Sequence, residues 1–362
     1  MSPRSRTPTL RDIGVEGAME TQPRADGAVV DRRSRPLRDL RLSVTDRCNL
    51  RCTYCMPEKD YRWLNRCDIL DFDEITNAVR AFARLGVDNI RLTGGEPLLR
   101  PALDELVGAL RDIEGITDLA MTTNGVLLAP HAASLRAAGL NRITVSLDTL
   151  VPARFKVISQ RDSHAKVLEG VAAAAETFDD LKLDTVLIRG FNDDEIVDII
   201  EFSRGIGAEA RFIEYMDVPG ATEWTVTSVV SRREILERVV TRYGQVREVP
   251  SGSAPAARFQ LADGHHFGIV SSTTQPFCAS CDRGRLTADG IFFDCLYATT
   301  GLDLRTPLRE GTTPAAFESL VRRHWTTRSS QGAVDRLGAN RSAVPVSILR
   351  RDPHLEMHTR GG

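Results

Sequence analysis

Leu40-Arg41-Leu42-Ser43-Val44-Thr45-Asp46-Arg47-Cys48-Asn49-Leu50-Arg51-Cys52-Thr53-Tyr54-Cys55 decides how this chain is read. Leu40, Leu42 and Val44 alternate with Arg41 and Ser43, the period of a strand. The strand runs into a loop with three cysteines at C-x3-C-x2-C spacing. Iron–sulfur cubes are normally held by cysteine thiolates. Three thiolates for four irons leave one iron open to a substrate or cofactor, which points to a redox enzyme.

The same unit repeats outward. Residues 73–85 put Ile75, Val79, Phe82 and Leu85 on one helical face. Residues 89–93 read as the next strand, and Leu103, Leu106, Val107 and Leu110 mark a second amphipathic helix. Further strands are predicted at 118–122, 142–147, 183–188 and 210–215, with helical stretches between them. Such alternation implies α/β architecture with a parallel sheet. About six units make an incomplete TIM-like barrel, (β/α)6, since a full barrel has eight. Thr45-Asp46-Arg47, Thr93-Gly94-Gly95-Glu96-Pro97, Thr122-Thr123-Asn124-Gly125 and Ser146-Leu147-Asp148 follow predicted strands. Barrel active sites form at those strand ends, and the cysteine loop falls at the same mouth.

Three boundaries follow. Residues 1–38, rich in Arg, Pro, Thr and Gly without hydrophobic periodicity, read as a disordered extension. Residues 39–217 are the barrel core. Residues 218–362 are a smaller C-terminal region, less clear over 218–257, where Pro219-Gly220 breaks the chain.

That region holds a second triplet, Cys278, Cys281 and Cys295, spaced C-x2-C-x13-C. It suits a second open cluster. It also suits zinc if His265 or His266 supplies a fourth ligand. Cys67 belongs to neither set and reads as a small apolar side chain. Arg283 and Arg285 follow Cys281, Arg41 and Arg47 flank the first triplet, and Arg91 precedes Gly94-Gly95. Clustered guanidinium groups suit a polyphosphate. No Walker A motif is present.

The 362 residues are 42% hydrophobic, enough for a sizeable core, and carry a net charge of −2. That balance argues against a nucleic-acid or membrane binder held by overall charge. No apolar stretch suits a signal peptide or a membrane span. The expectation is a cytoplasmic protein, where seven cysteines point to metal or catalysis before disulfides.

Together these motifs resemble the radical S-adenosylmethionine superfamily, and within it the GTP 3′,8-cyclase family of molybdenum cofactor biosynthesis. The resemblance covers about residues 39 to 362. It rests on SVTDRCNLRCTYCMPE, IRLTGGEPLLRP, TTNGVLL, ITVSLDTL, RFIEYMDV, PFCASCDRGRLTADG and the terminal Gly361-Gly362. It implies a radical SAM partial barrel with two 4Fe–4S clusters and S-adenosylmethionine as cofactors. Cys48, Cys52 and Cys55 would hold the first cluster, and Cys278, Cys281 and Cys295 the second, which resolves the zinc alternative on family grounds.

The reaction implied is conversion of GTP to 3′,8-cyclo-7,8-dihydro-GTP, begun by hydrogen removal from C3′. Tyr54, Gly95, Ser146 and Met216 are implied to contact S-adenosylmethionine. Arg41, Arg91, Thr122, Lys182, Arg211, Arg283, Gly284 and Arg285 are implied to contact GTP. Arg41, Arg283 and Arg285 are implied to take part in catalysis, and so are Gly361 and Gly362, through a tail that enters the active site. The implied partners are an electron donor, the next enzyme (cyclic pyranopterin monophosphate synthase) and a second copy of the chain. Two positions depart from the family pattern: Asn89, where many relatives carry lysine, and Pro219, where glycine is expected. The alternative is a related two-cluster radical enzyme with another substrate, such as a peptide.

Overall fold

A computed structural model describes residues 15–16, 28–56, 61–218, 223–337 and 352–361. Among them thirteen strands form one sheet. In chain order these are β1 (Val15–Glu16), β2 (Asp39–Ser43), β3 (Asn89–Thr93), β4 (Asp118–Thr123), β5 (Arg142–Ser146), β6 (Leu181–Leu187), β7 (Glu209–Glu214), β8 (Val246–Val249), β9 (Ala257–Gln260), β10 (His266–Val270), β11 (Arg283–Leu286), β12 (Ile291–Phe293) and β13 (Leu302–Asp303). Across the sheet they run β1-β8-β9-β10-β7-β6-β5-β4-β3-β2-β11-β12-β13.

β2 to β7 are consecutive, parallel and separated by helices, the six predicted units. The predicted strands are present, with ends shifted by one or two residues. The helix Phe72–Arg84 starts at a capping box in which Asp71 and Glu74 satisfy each other's backbone N–H groups. Its predicted face, Ile75, Val79, Phe82 and Leu85, is buried. Leu103, Leu106, Val107 and Leu110 are buried on Leu103–Arg111. At about 1.5–3 kcal/mol for each large apolar side chain removed from water, these faces pin the helices to the sheet.

The sheet curls on itself. Five strands separate β7 from β11 in the sheet order, yet Arg211 of β7 and Arg283 and Arg285 of β11 line one cavity with Arg41 of β2. The C-terminal residues continue the core sheet on both sides. β10 pairs in parallel with β7, and β11 with β2. The unclear stretch at 218–257 contains the helix Arg232–Tyr243, opened by a Ser231–Glu234 capping box.

The packed fold begins well before residue 39. Val29 and Leu37 are buried, Val30 bridges Pro36, and Arg35 is paired with Asp31 at 2.7 Å with both side chains almost fully enclosed. A hydrophobic pattern cannot reveal this segment, because much of its anchor is a buried ion pair.

Candidate active site

The first cysteine loop is held by contact between backbones. Gly95 N donates to Thr45 O at 2.9 Å, and Glu96 N to Arg47 O at 2.7 Å. A Cβ at Gly94, where φ is +151°, would meet Thr45 O at 2.4 Å; one at Gly95 would meet Arg47 O at 2.2 Å. Glycine is therefore required because the turn after β3 lies against the cysteine loop itself. Glu96 is buried and accepts from Thr123 Oγ1, Asn124 N and Leu98 N, tying the ends of β3 and β4 together. Burial pushes its carboxyl up to about 7 against those bonds.

Cys48, Cys52 and Cys55 line one cavity with Tyr54, Gly95, Ser146 and Met216, all expected there. Tyr54 donates to Asp148 at 2.8 Å. The Asn124 amide approaches Cys48 Sγ at 3.8 Å and donates to Asn49 at 2.7 Å. Burial pushes the Cys48 thiol up to about 12. Three thiols around one cavity fit a cluster with an open iron.

The second cavity is lined by Cys278, Cys281 and Cys295 together with Arg41, Arg91, Thr122, Arg211, Arg283 and Arg285. Thr122, Asp184, Ile213, Met216 and Met357 line both cavities, so the two are adjoining compartments. Arg91 donates to Thr122 and Thr144, and Arg211 to Thr144 and, at 2.6 Å, to Asp184. Burial and then neighbouring guanidinium groups push Arg41 and Arg91 down to about 9 and Arg285 to about 10. Arg283 Nη2 is buried with no hydrogen-bond partner among the described residues. Such crowding favours a multiply charged anion. Burial opposes a Cys281 thiolate, but Arg283 and Arg328 outweigh it and lower this thiol.

Several expected residues stand elsewhere. Lys182, near the start of β6, does not line the cysteine cavities; it faces a wider opening at the other strand ends and pairs with Asp180. Asn89 faces that opening too, as do Arg41, Arg91, Arg211 and Arg283. Gly284 does not line the arginine cavity: a Cβ there would meet the Phe292 ring at 2.6 Å and Leu37 at 3.1 Å. Strand alternation sends Arg283 and Arg285 inward and Gly284 outward. His265 and His266, at the β9–β10 turn, do not line the cavity of the second triplet. Cys67 is exposed and no part of the core, contrary to the expectation of a small apolar side chain. Pro219 and Gly362 lie outside the described residues.

The tail reaches the site. Arg285 Nη1 donates to Gly361 O at 2.7 Å and to Arg360 O at 3.1 Å. Met357 and His358 line the first cavity. Behind them Arg360 donates to Leu296 O, next to Cys295, and its guanidinium lies 4.2 Å from the Phe293 ring centroid. Met357, His358 and Asp184 carried no sequence signal, whereas Asn124 lay in the TTNG run after β4.

His354 sits between Asp289 at 2.7 Å and Asp352 at 2.9 Å. Burial disfavours its charge, but the two carboxylates outweigh it and raise its pKa. The bridge is therefore complete below about pH 6.5, the ordinary value, and is lost as pH rises through the raised one. Hydrogen-exchange protection of residues 352–361, corrected for intrinsic rates, should fall over that rise. His354→Asn should remove the dependence; an unchanged profile in that variant would assign it to another group.

The comparisons with known proteins agree with this layout. The Radical SAM superfamily matches residues 42–203, and Molybdenum Cofactor Synthesis C matches residues 208–334. GTP 3′,8-cyclase 3 of Mycobacterium bovis is 54% identical over 345 residues, 93% of this chain and 91% of that protein. GTP 3′,8-cyclase 1 of Mycobacterium tuberculosis is 52% identical over 98% of this chain and 99% of that protein. GTP 3′,8-cyclase of Aquifex aeolicus is 40% identical over 92% and 100%. Among solved structures, Streptococcus suis SuiB bound to S-adenosylmethionine superposes with a TM-score of 0.59 at 15% identity, covering 83% of this chain and 68% of that one. At that identity the likeness concerns the fold alone.

Proposed function

The chain belongs to the GTP 3′,8-cyclase family of the radical SAM superfamily, and we propose that it converts GTP to 3′,8-cyclo-7,8-dihydro-GTP, the first step of molybdenum cofactor biosynthesis. The observation that carries this reading is the pair of adjoining cavities, each lined by one cysteine triplet and one of them crowded with arginines.

When bound, the cluster and S-adenosylmethionine supply the one-electron chemistry that removes a hydrogen atom from ribose. Cys48, Cys52 and Cys55 hold the first 4Fe–4S cluster, and Tyr54, Gly95, Ser146 and Met216 orient S-adenosylmethionine beside it. Cys278, Cys281 and Cys295 would hold the second 4Fe–4S cluster, beside which the guanine would be bound. Arg41, Arg91, Arg211, Arg283 and Arg285 take the triphosphate, with Thr122 at the junction. Lys182 serves the phosphate end through the wider opening. Confinement in adjoining compartments keeps the reacting carbons aligned and solvent out. Gly361, held by Arg285, completes the enclosure, and Gly362 shares the catalytic role the family implies. No helix among the described residues is long and apolar enough to cross a membrane. In this proposal the protein is a cytoplasmic homodimer that draws on a separate electron donor and passes its product to cyclic pyranopterin monophosphate synthase.

Arg283→Ala tests the substrate assignment. A hydrogen bond to a charged group contributes about 1.5–3 kcal/mol, so the GTP requirement should rise about 10–100-fold. S-adenosylmethionine binding should be unchanged. An unaltered GTP titration would remove Arg283 from the substrate site.

A further inference from the structure

Behind the second triplet lies a buried charged network that the reaction does not use. Asp31 accepts from Arg35 Nε at 2.7 Å and lies 3.5 Å from Arg328 Nη1. The Arg35, Arg328 and Asp31 side chains are 2%, 1% and 0% exposed. Each arginine reaches a cysteine of the triplet. Arg35 Nη1 donates to Cys278 O at 2.9 Å, and its Nη2 to Ser330 O at 2.9 Å. Arg328 Nη1 donates to Cys281 O at 2.9 Å, and its Nη2 to Cys281 Sγ at 3.4 Å. Trp325 closes the network: its indole N–H donates to Arg35 O at 3.2 Å, and the Arg328 guanidinium lies 4.3 Å from its ring centroid.

Two guanidinium groups share one carboxylate, leaving net positive charge enclosed beside two ligand residues. Burying charge is expensive, and apolar side chains would staple two segments together at lower cost. The arrangement gains a purpose if its excess charge faces something negative. A cluster held by thiolates is negative, and hydrogen bonds to its sulfurs help set its reduction potential. Outer-shell partners of this kind also fix ligand orientation.

We propose that Arg328, held by Asp31 and seconded by Arg35, is a positioning residue for the second cluster: it fixes the Cys278–Cys281 loop and raises the cluster's reduction potential through its bond to the Cys281 sulfur. This rests on reading Cys278, Cys281 and Cys295 as cluster ligands. It also gives the segment around Asp31 a role that its composition does not announce.

The test uses the full chain with Cys48, Cys52 and Cys55 all replaced by alanine, reconstituted anaerobically so that one cluster is observed alone. Iron analysis comes first. About four irons per chain satisfy the underlying reading; their absence overturns that reading and the proposal with it. With iron bound, Arg328→Gln should shift the midpoint potential of an EPR-monitored redox titration to more negative values. Arg328→Lys, which keeps the charge but not the paired donors, should give a smaller shift in the same direction and serves if the glutamine variant does not fold. In the wild-type cysteine background, Arg328→Lys should raise KM for GTP more than it lowers the rate of 5′-deoxyadenosine formation. Iron-loaded Arg328→Lys with an unchanged potential and unchanged KM would overturn the proposal while leaving the cluster reading intact.

Discussion

Cys52→Ser should abolish S-adenosylmethionine cleavage. The residue is central to its loop: Cys55 N donates to Cys52 O at 3.1 Å, and Met56 N to the same oxygen at 2.7 Å. Those bonds use the backbone, so serine preserves the turn and removes only the sulfur. The proposed cluster already relies on three thiolates, and a fourth ligand must stay open for the cofactor. With two thiolates the chain cannot both hold the cube and leave that position free. Iron per chain should fall by about half, because the second triplet is untouched. Stability of the apo chain should change by less than about 1 kcal/mol, since the loop is partly open to solvent and no large side chain is lost. Normal 5′-deoxyadenosine formation by this variant would remove Cys48, Cys52 and Cys55 from the cofactor site.

Gly361→Ala should separate radical formation from cyclisation. At Gly361 φ is +65°, a conformation that costs an L-residue roughly 1–2 kcal/mol. More severely, its new Cβ would meet Thr93 Oγ1 at 2.0 Å. Thr93 is buried at the end of β3, in a strand paired on both sides, and cannot retreat far. The tail must move instead, and Arg285 then loses the carbonyls of Gly361 and Arg360. Leaving that buried guanidinium short of partners costs about 1–3 kcal/mol more. Cyclisation should fall 100-fold or more, while 5′-deoxyadenosine still forms because the first triplet is intact. Adding Thr93→Ala removes the clashing oxygen and should restore part of the activity. Full cyclisation by Gly361→Ala alone would show that the tail is dispensable.

The parts of this molecule legible in its sequence are those written in local periodicity and short spacing. β2 and the helices Phe72–Arg84 and Leu103–Arg111 followed from alternation and from a helical stripe, because each buries one face. Cys48, Cys52 and Cys55 could be grouped because eight residues of loop cannot carry them far apart. The glycines after β3 were visible as a turn, but their partner was not: Thr45 and Arg47 supply carbonyls that no pattern in the glycines announces. Lys182 and Gly284 show the opposite limit. Both lie beside or between residues of the arginine set, yet position along a strand decides which end a side chain faces, and parity decides which side. The Asp31–Arg35–Arg328 network was illegible because Arg328 stands far along the chain from Asp31 and Arg35, and all three side chains are charged. Met357 and His358 were hidden for a related reason: a terminal segment gains its place only from the groove it fills.

The most direct test of the central claim is product analysis. The protein is reconstituted anaerobically and given GTP, S-adenosylmethionine and a strong reductant, and the nucleotides are separated by chromatography before mass analysis. Separation is needed because the hydrogen lost at C3′ is balanced by one gained at N7, so the cyclised product has the mass of GTP. A new peak isobaric with GTP should appear and rise in step with 5′-deoxyadenosine. An unchanged GTP peak alongside 5′-deoxyadenosine would contradict GTP as the substrate, and a fully iron-loaded protein forming no 5′-deoxyadenosine would contradict the radical chemistry itself.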